Sequence, residues 1–257
     1  QGRVDSVGDD VKHLVDDVLY IWRAPVRLSM EDLPLLIAAA EVVVAAGVYD
    51  DEVHAWLRAH PRSGAVALLA PAREGGPLFP IGLTPMLLPL STGLYLAGRA
   101  GGSEPLRRAG LGCATADIAN TLARHTLARL VGRLRPRYTD DPYRIRPLAF
   151  GPWPVRSFPN GHGANIMACA AFWANAFELG PAEPALYLLA AVVGLARVAD
   201  EAHWLSDTVA GAAFGYAVGA AVADRPRERA EARAAPAGAA RAPHPAPRVS
   251  LVWRLPL

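Results

Sequence analysis

Three short segments of this chain carry residue types that can do chemistry together. Arg133-Leu134-Arg135-Pro136 closes one helical stretch, and Pro159-Asn160-Gly161-His162 opens another. In the third, Arg197 is followed after five residues by His203, and Asp207 lies four positions further on. On a helix, residues four apart share a face. A carboxylate there can accept the Nδ1 proton of the imidazole, fixing the tautomer and leaving the Nε2 lone pair outward, as a nucleophile or base requires. Arg197 can turn back toward that nitrogen. Gly161 and His162 at a helix start offer backbone N–H groups that suit an anion, and glycine permits close approach. Arg135, ahead of a proline, can fork onto phosphate oxygens. Each segment alone has an ordinary reading: a polar pair on a surface helix, a proline–glycine turn, one arginine among many. Their joint appearance in this order, after an Arg-Pro helix end, is hard to assign to accident.

These segments resemble the three-part signature of the type 2 phosphatidic acid phosphatase superfamily, K-x6-R-P, P-S-G-H and S-R-x5-H-x3-D. That superfamily includes bacterial acid phosphatases and vanadium haloperoxidases. The resemblance covers about Arg124 to Gly215. It implies a metal-independent phosphoester hydrolase, an acid or lipid phosphate phosphatase working through a phosphohistidine. His203 is then the nucleophile, Asp207 its orienter and His162 the acid that protonates the leaving group. Arg135, Arg197, Asn160 and the Gly161 amide hold the phosphate oxygens. No cofactor is implied, although vanadate, a phosphate mimic, fits the same cage. A vanadium-dependent haloperoxidase is therefore one alternative, and a catalytically degenerate phosphate-binding member is another. The implied partner is a phosphorylated small molecule or a lipid phosphate in the bacterial cell envelope, periplasmic or membrane-associated. Three positions depart from the pattern: the family lysine falls on Ala128, the P-S-G-H serine is Asn160, and the serine before the last arginine is Ala196. Asn160 can still donate a hydrogen bond. Ala128 removes a cation, which Arg124 one turn below, or a loop arginine such as Arg144 or Arg156, is expected to replace.

The elements that position these residues read as helices. The chain has 257 residues, 52% hydrophobic and 19% charged, enough for one domain with a real core. The formal charge of +2 is uneven: residues 225–257 hold seven arginines and two glutamates, leaving the body acidic. That argues against a nucleic-acid groove. Periodicity places an amphipathic helix over 8–22, with Val11, Leu14, Val15, Val18, Leu19 and Trp22 on one face. Further helices are expected from Ser29 to about Val48, over 51–59, 84–98 and 112–134, from His162 to Gly180, and over 184–199 and 203–223. Residues 137–158 hold four prolines and read as a long functional loop. The expectation is an all-α, single helical bundle of about six main helices over residues 1–224, with a disordered Ala/Pro/Arg-rich tail from 225 to 257 and a short strand at Val249–Leu255. The apolar runs are short or broken for membrane spans, so burial in a globular bundle is the favoured reading, with a membrane-embedded bundle the alternative. Cys113 and Cys169 read as two buried free thiols, with one disulfide the alternative. The start at Gln1, with no basic-then-apolar leader, suggests a processed chain whose export signal has been removed.

Overall fold

The structure, a computed structural model, describes residues 6–61, 63–69, 78–150 and 155–234. Helix α1 spans Val7–Trp22, α2 Leu33–Gly47, α3 Asp50–Ala59 and α4 Gly64–Leu69. Then follow α5 (Thr84–Ala100), α6 (Glu104–Val131), α7 (Gly161–Ala176), α8 (Ala182–Ala199) and α9 (Leu205–Ala234). Among the described residues there is no strand. Arg133 and Ile145 form one isolated antiparallel bridge. The all-α expectation holds, with seven long helices, α1, α2 and α5–α9, among the described residues where about six were expected.

Helix α7 is the axis of the bundle. It is apolar all round, as a helix enclosed by others must be, and nearly every residue from Gly161 to Phe172 is buried. Helix α9 lies against it through Gly211, Gly215 and Gly219, four residues apart. A Cβ at these positions would stand 2.4, 2.2 and 2.2 Å from the carbonyl oxygens of Asn160, Ala164 and Ala168. Only hydrogen on the α-carbon lets the two backbones meet, the small-residue packing common between helices in membranes. Cys113 on α6 and Cys169 on α7 form a disulfide, so the free-thiol reading is wrong. Their spacing of 56 residues carries no signal that α6 and α7 lie side by side.

Several boundaries differ from expectation. Helix α6 starts eight residues early, because Gly110 and Gly112 are contact glycines, not breakers; a Cβ on Gly110 would stand 2.3 Å from Tyr95 N. It ends at Gly132 in the left-handed region (φ +64), ahead of the expected stop at Pro136. Helix α9 runs through Pro226 to Ala234, so the expected tail boundary at 225 is overturned for those ten residues. The rest of that tail and the expected strand lie outside the described residues.

Helix α1 is turned relative to the sequence reading. Val18 and Ile21 enter the core, while Val11, Val15, Leu19 and Trp22 stay exposed. Its acidic face is buried instead. Asp10 accepts from Tyr95 Oη (2.8 Å), Arg99 Nη1 (3.0 Å) and Arg107 Nη1, and Asp17 from Arg225 Nε (2.9 Å) and Arg229 Nη1. Charge pairing outweighs the apolar stripe in choosing which face turns inward.

Helix α2 runs against the globular reading of the apolar runs. It has no buried residue, and Ile37 and Val44 are 54% and 67% exposed. Met86, Leu90 and Leu96 of α5 and Leu188, Leu189 and Leu195 of α8 also face outward. Among the described residues, three helical stretches are long and apolar enough to cross a membrane: Leu33–Ala59, Ala182–Ala199 and Leu205–Glu231.

Candidate active site

The end of α6, the start of α7, the end of α8 and the start of α9 meet at one end of the bundle. The connections between them are sewn together. Arg135 Nη1 donates to Ala202 O (2.9 Å), Arg137 N to Glu201 O (3.1 Å) and Arg137 Nη2 to Asp200 O (2.7 Å). The segment after Gly132 is thereby fastened to the turn between α8 and α9.

His203 lies in that turn, ahead of α9, not on the helix as expected. Asp207 is the third residue of α9, and its Oδ2 accepts the Trp204 N–H (2.9 Å), a capping arrangement. The same oxygen accepts the Ser157 hydroxyl and stands 3.8 Å from His203 Nδ1. The hydrogen bond of Nδ1 goes to the Ser157 carbonyl oxygen, 2.6 Å away. A carbonyl only accepts, so the proton sits on Nδ1 and Nε2 keeps the lone pair. The expected tautomer is imposed, but by Ser157, with Asp207 adding charge from just beyond bonding distance. Ser157 was not legible in the sequence, because its backbone carbonyl does this work and any residue type supplies one.

Asn160 is not placed to hold phosphate. Its Oδ1 accepts His162 N (3.1 Å), capping α7, and its Nδ2 donates to Gly194 O (3.2 Å) and Thr208 Oγ1 (3.0 Å). Both faces of the amide are used to pin α7 to α8 and α9, which corrects the oxygen-clamp expectation. Of the candidates for the missing cation, Arg124 lies at the site. A Cβ on Gly161 would stand 2.7 Å from Arg124 Cζ, so glycine here makes room for a guanidinium. Arg124 Nε is buried with no hydrogen-bond partner among the described residues. Arg156, beside Ser157, also has its Nε buried, and its carbonyl accepts from Arg135 Nη2 (3.3 Å), while Arg144 lends its carbonyl to Leu134 N (3.0 Å).

The electrostatics tie the three segments together. Burial, then Arg197, His203, Arg124 and Arg135, push the His162 imidazole down to about 2. Burial and Arg135 push His203 down to about 3, with Asp207 opposing and Arg197 adding. Burial and Arg197 lower Arg135 to about 10. Such mutual depression requires these groups to share one poorly solvated space. Arg197 Nη1 pairs with the buried Asp200 through Oδ2 (2.6 Å). Phe79, ahead of α5, lies over both sides of the site, its ring centre 5.5 Å from that of His162 and 5.0 Å from Arg197 Cζ.

Residues 107–230 match the PAP2 superfamily. The chain carries a PAP2 superfamily domain. It holds the three segments, while Phe79 and all of α1–α5 precede it. Over 69 residues the chain is 38% identical to a lipid A 1-phosphatase of Porphyromonas gingivalis, covering 25% of this chain and 15% of that protein. Over 104 residues it is 33% identical to a lipid A 1-phosphatase of Rhizobium etli, covering 39% of this chain and 43% of that protein. The chain thus spans less than half the length of these curated relatives. No solved structure matches it. Within the PAP2 domain, the arrangement can hold a tetrahedral oxyanion between guanidinium groups, with one imidazole poised as nucleophile and a second within the same field.

Proposed function

We propose that this protein is a membrane lipid phosphatase that hydrolyses a phosphomonoester through a phosphohistidine on His203. The observation that carries the reading is convergence. Phe79 lies 5.5 Å from the His162 ring and 5.0 Å from Arg197 Cζ, His203 N donates to Arg197 O (3.2 Å), and Arg135 Nη1 donates to Ala202 O beside His203 (2.9 Å), so residues of all three segments meet in one place.

A phosphate ester dianion repels nucleophiles until its equatorial oxygens are neutralised. Arg124, Arg135, Arg197 and the Gly161 amide do this, in a buried place where such interactions are strong. The Nε2 lone pair of His203 attacks phosphorus in line, and the bond to the leaving alkoxide breaks. Asp207 stabilises the imidazolium that forms. His162 gives its proton to the alkoxide, releasing an alcohol. Water then attacks the phosphohistidine, His162 takes the water proton, and inorganic phosphate leaves. The bound anion cancels the arginine field, so His162 holds its proton in the complex although it is neutral in the free protein.

The outward apolar faces of α2, α5 and α8 suit a bilayer, with the site at the helix ends, where lipid headgroups lie. The substrate is a lipid phosphate, and the 1-phosphate of lipid A, named in both relatives, is the first to test. The Cys113–Cys169 disulfide fits an oxidising compartment such as the periplasm. The direct test is rapid quenching with ³²P-labelled lipid phosphate. Acid-labile label on His203, absent in His203→Ala, supports the reading. Hydrolysis that persists in His203→Ala sinks it.

A further inference from the structure

The PAP2 domain begins at Arg107, yet the group that completes the network behind His203 comes from α3, well before it. Asp50 is 1% exposed. Its Oδ1 accepts Ser206 N–H (2.9 Å), and its Oδ2 accepts the Ser206 hydroxyl (2.6 Å) and Arg133 Nη2 (2.7 Å). Arg133 turns Nη1 to Asp207 Oδ1 (2.7 Å) and to Ser206 Oγ (2.7 Å), and Nε to the Pro142 carbonyl (2.8 Å). The Trp204 ring centre lies 5.4 Å from its Cζ. One guanidinium is therefore divided between two buried carboxylates, and only one of these belongs to the family signature.

We propose that Asp50 is a positioning residue for His203, acting through Arg133 and Asp207. By claiming part of the Arg133 charge, it leaves Asp207 negative enough to support the imidazolium that develops on His203. It also fixes the first turn of α9, from which Asp207 projects. This rests on the phosphatase reading above. In a poorly solvated site a charge two groups away still acts, because little water screens it. If Asp50 loses its charge, Arg133 bears fully on Asp207, and His203 becomes harder to protonate. If Arg133 loses its charge, Asp207 is undivided with a second carboxylate behind it, and His203 becomes easier to protonate. The other charged or titratable groups facing His203 are Arg135, Arg197 and His162, and both substitutions leave them in place.

The two changes therefore push in opposite directions, which simple loosening of the fold cannot do. The test uses the full chain in detergent micelles with p-nitrophenyl phosphate. Asp50→Asn is expected to lower kcat about tenfold, as loss of an outer-shell partner does, with KM within about twofold. It moves the acid limb of the kcat profile down by about half a pH unit, less than the one to three units of a direct neighbour. Asp50→Glu restores the limb. Arg133→Gln moves it up. Limbs that stay put, or move together, overturn the proposal. If the wild type hydrolyses no ester, the functional reading fails instead, and the relay is then read from the His203 ring by ¹⁵N NMR. An upward-shifted His203 titration in Arg133→Gln, or a downward shift in Asp50→Asn should the other variant not fold, supports it, and an unmoved ring overturns it.

Discussion

The two ends of the bundle both bury arginines, and they use them for opposite purposes. At the end away from the site, Arg99 and Arg107 meet Asp10 and Glu104, and Arg225 and Arg229 meet Asp17 and Glu228. Each cluster holds two guanidiniums against two carboxylates, and α1 is turned face-inward to achieve it. At the site end, Arg124, Arg135 and Arg197 converge with two imidazoles; Arg197 pairs with Asp200, and Arg135 donates to the carbonyls of Ala202 and Arg156. A cluster closed on its own carboxylates is a fastening. Guanidiniums gathered around two imidazoles are a seat for an anion.

Substitution at the two ends should separate these purposes. Arg135→Ala is expected to lower kcat/KM by about 10²–10³, the usual loss for one donor to the reacting oxygens. Its melting temperature should fall less than that of Arg107→Ala, because the bonds lost to Ala202 and Arg156 are partly offset by removal of a desolvated cation. Arg107→Ala should do the reverse. It strands Asp10 beside a single remaining arginine, at a cost of about 3–5 kcal/mol, with kcat unchanged in the molecules that remain folded. A melt and a rate measurement on each variant suffice. Catalytic loss in Arg107→Ala without unfolding would break the distinction.

Arg124 sharpens the same contrast, because it stands where the family lysine is missing. Arg124→Ala should cost about 10–100-fold in kcat/KM, less than Arg135, and Arg124→Lys should recover most of it, since a point charge suffices where no fork is needed. Activity within twofold of wild type in Arg124→Ala would move the third cation elsewhere.

The residues gathered at the candidate site stood out in the sequence more than the scaffold did, for a physical reason. Histidine, aspartate and arginine at fixed spacing carry their chemistry in the side chain, so His162, His203, Arg135 and Arg197 could be named before any fold was known. Asn160 and Ser157 act through capping and a backbone carbonyl, which residue type does not reveal. Asp50 reaches the site only because α3 folds over α9. Among the helices, α8 and α5 were readable from flanking prolines and apolar content. The start of α6 was hidden because glycine that admits a neighbour looks the same as glycine that ends a helix. The buried face of α1 was misassigned because an apolar stripe says nothing of arginines supplied from α5, α6 and α9.

The depressed histidines set a pH dependence with a definite sign. In the free protein His162 and His203 are neutral above about 3, so the proton for the leaving group enters with the substrate as its monoanion. A phosphomonoester loses that proton near pH 6. kcat/KM should therefore fall about tenfold per unit above about pH 6, as a steady-state profile would show. Stability runs the other way. Unfolded histidines take protons below about 6.5 while the folded ones do not, so stability is lost as pH falls from about 6.5 toward 3. Inorganic phosphate, by raising the folded values, should recover part of it in a melt at pH 5. A profile flat from pH 5 to 8 would mean that the acid is not His162.

The smallest expected effect tests a correction. Asn160→Ser restores the family residue at a position where the side chain caps α7 and pins it to Gly194 and Thr208. Serine can keep the cap to His162 N but cannot reach both partners. The cost should be about 1 kcal/mol, the worth of an ordinary hydrogen bond, with kcat/KM within about threefold. The hydroxyl adds no phosphate donor, because the cap uses its oxygen as acceptor and leaves one proton, which Gly194 O or Thr208 Oγ1 can take. A hundredfold change in either direction would mean that the residue at 160 touches the reacting oxygens, and the cage at this end would then need a fourth wall.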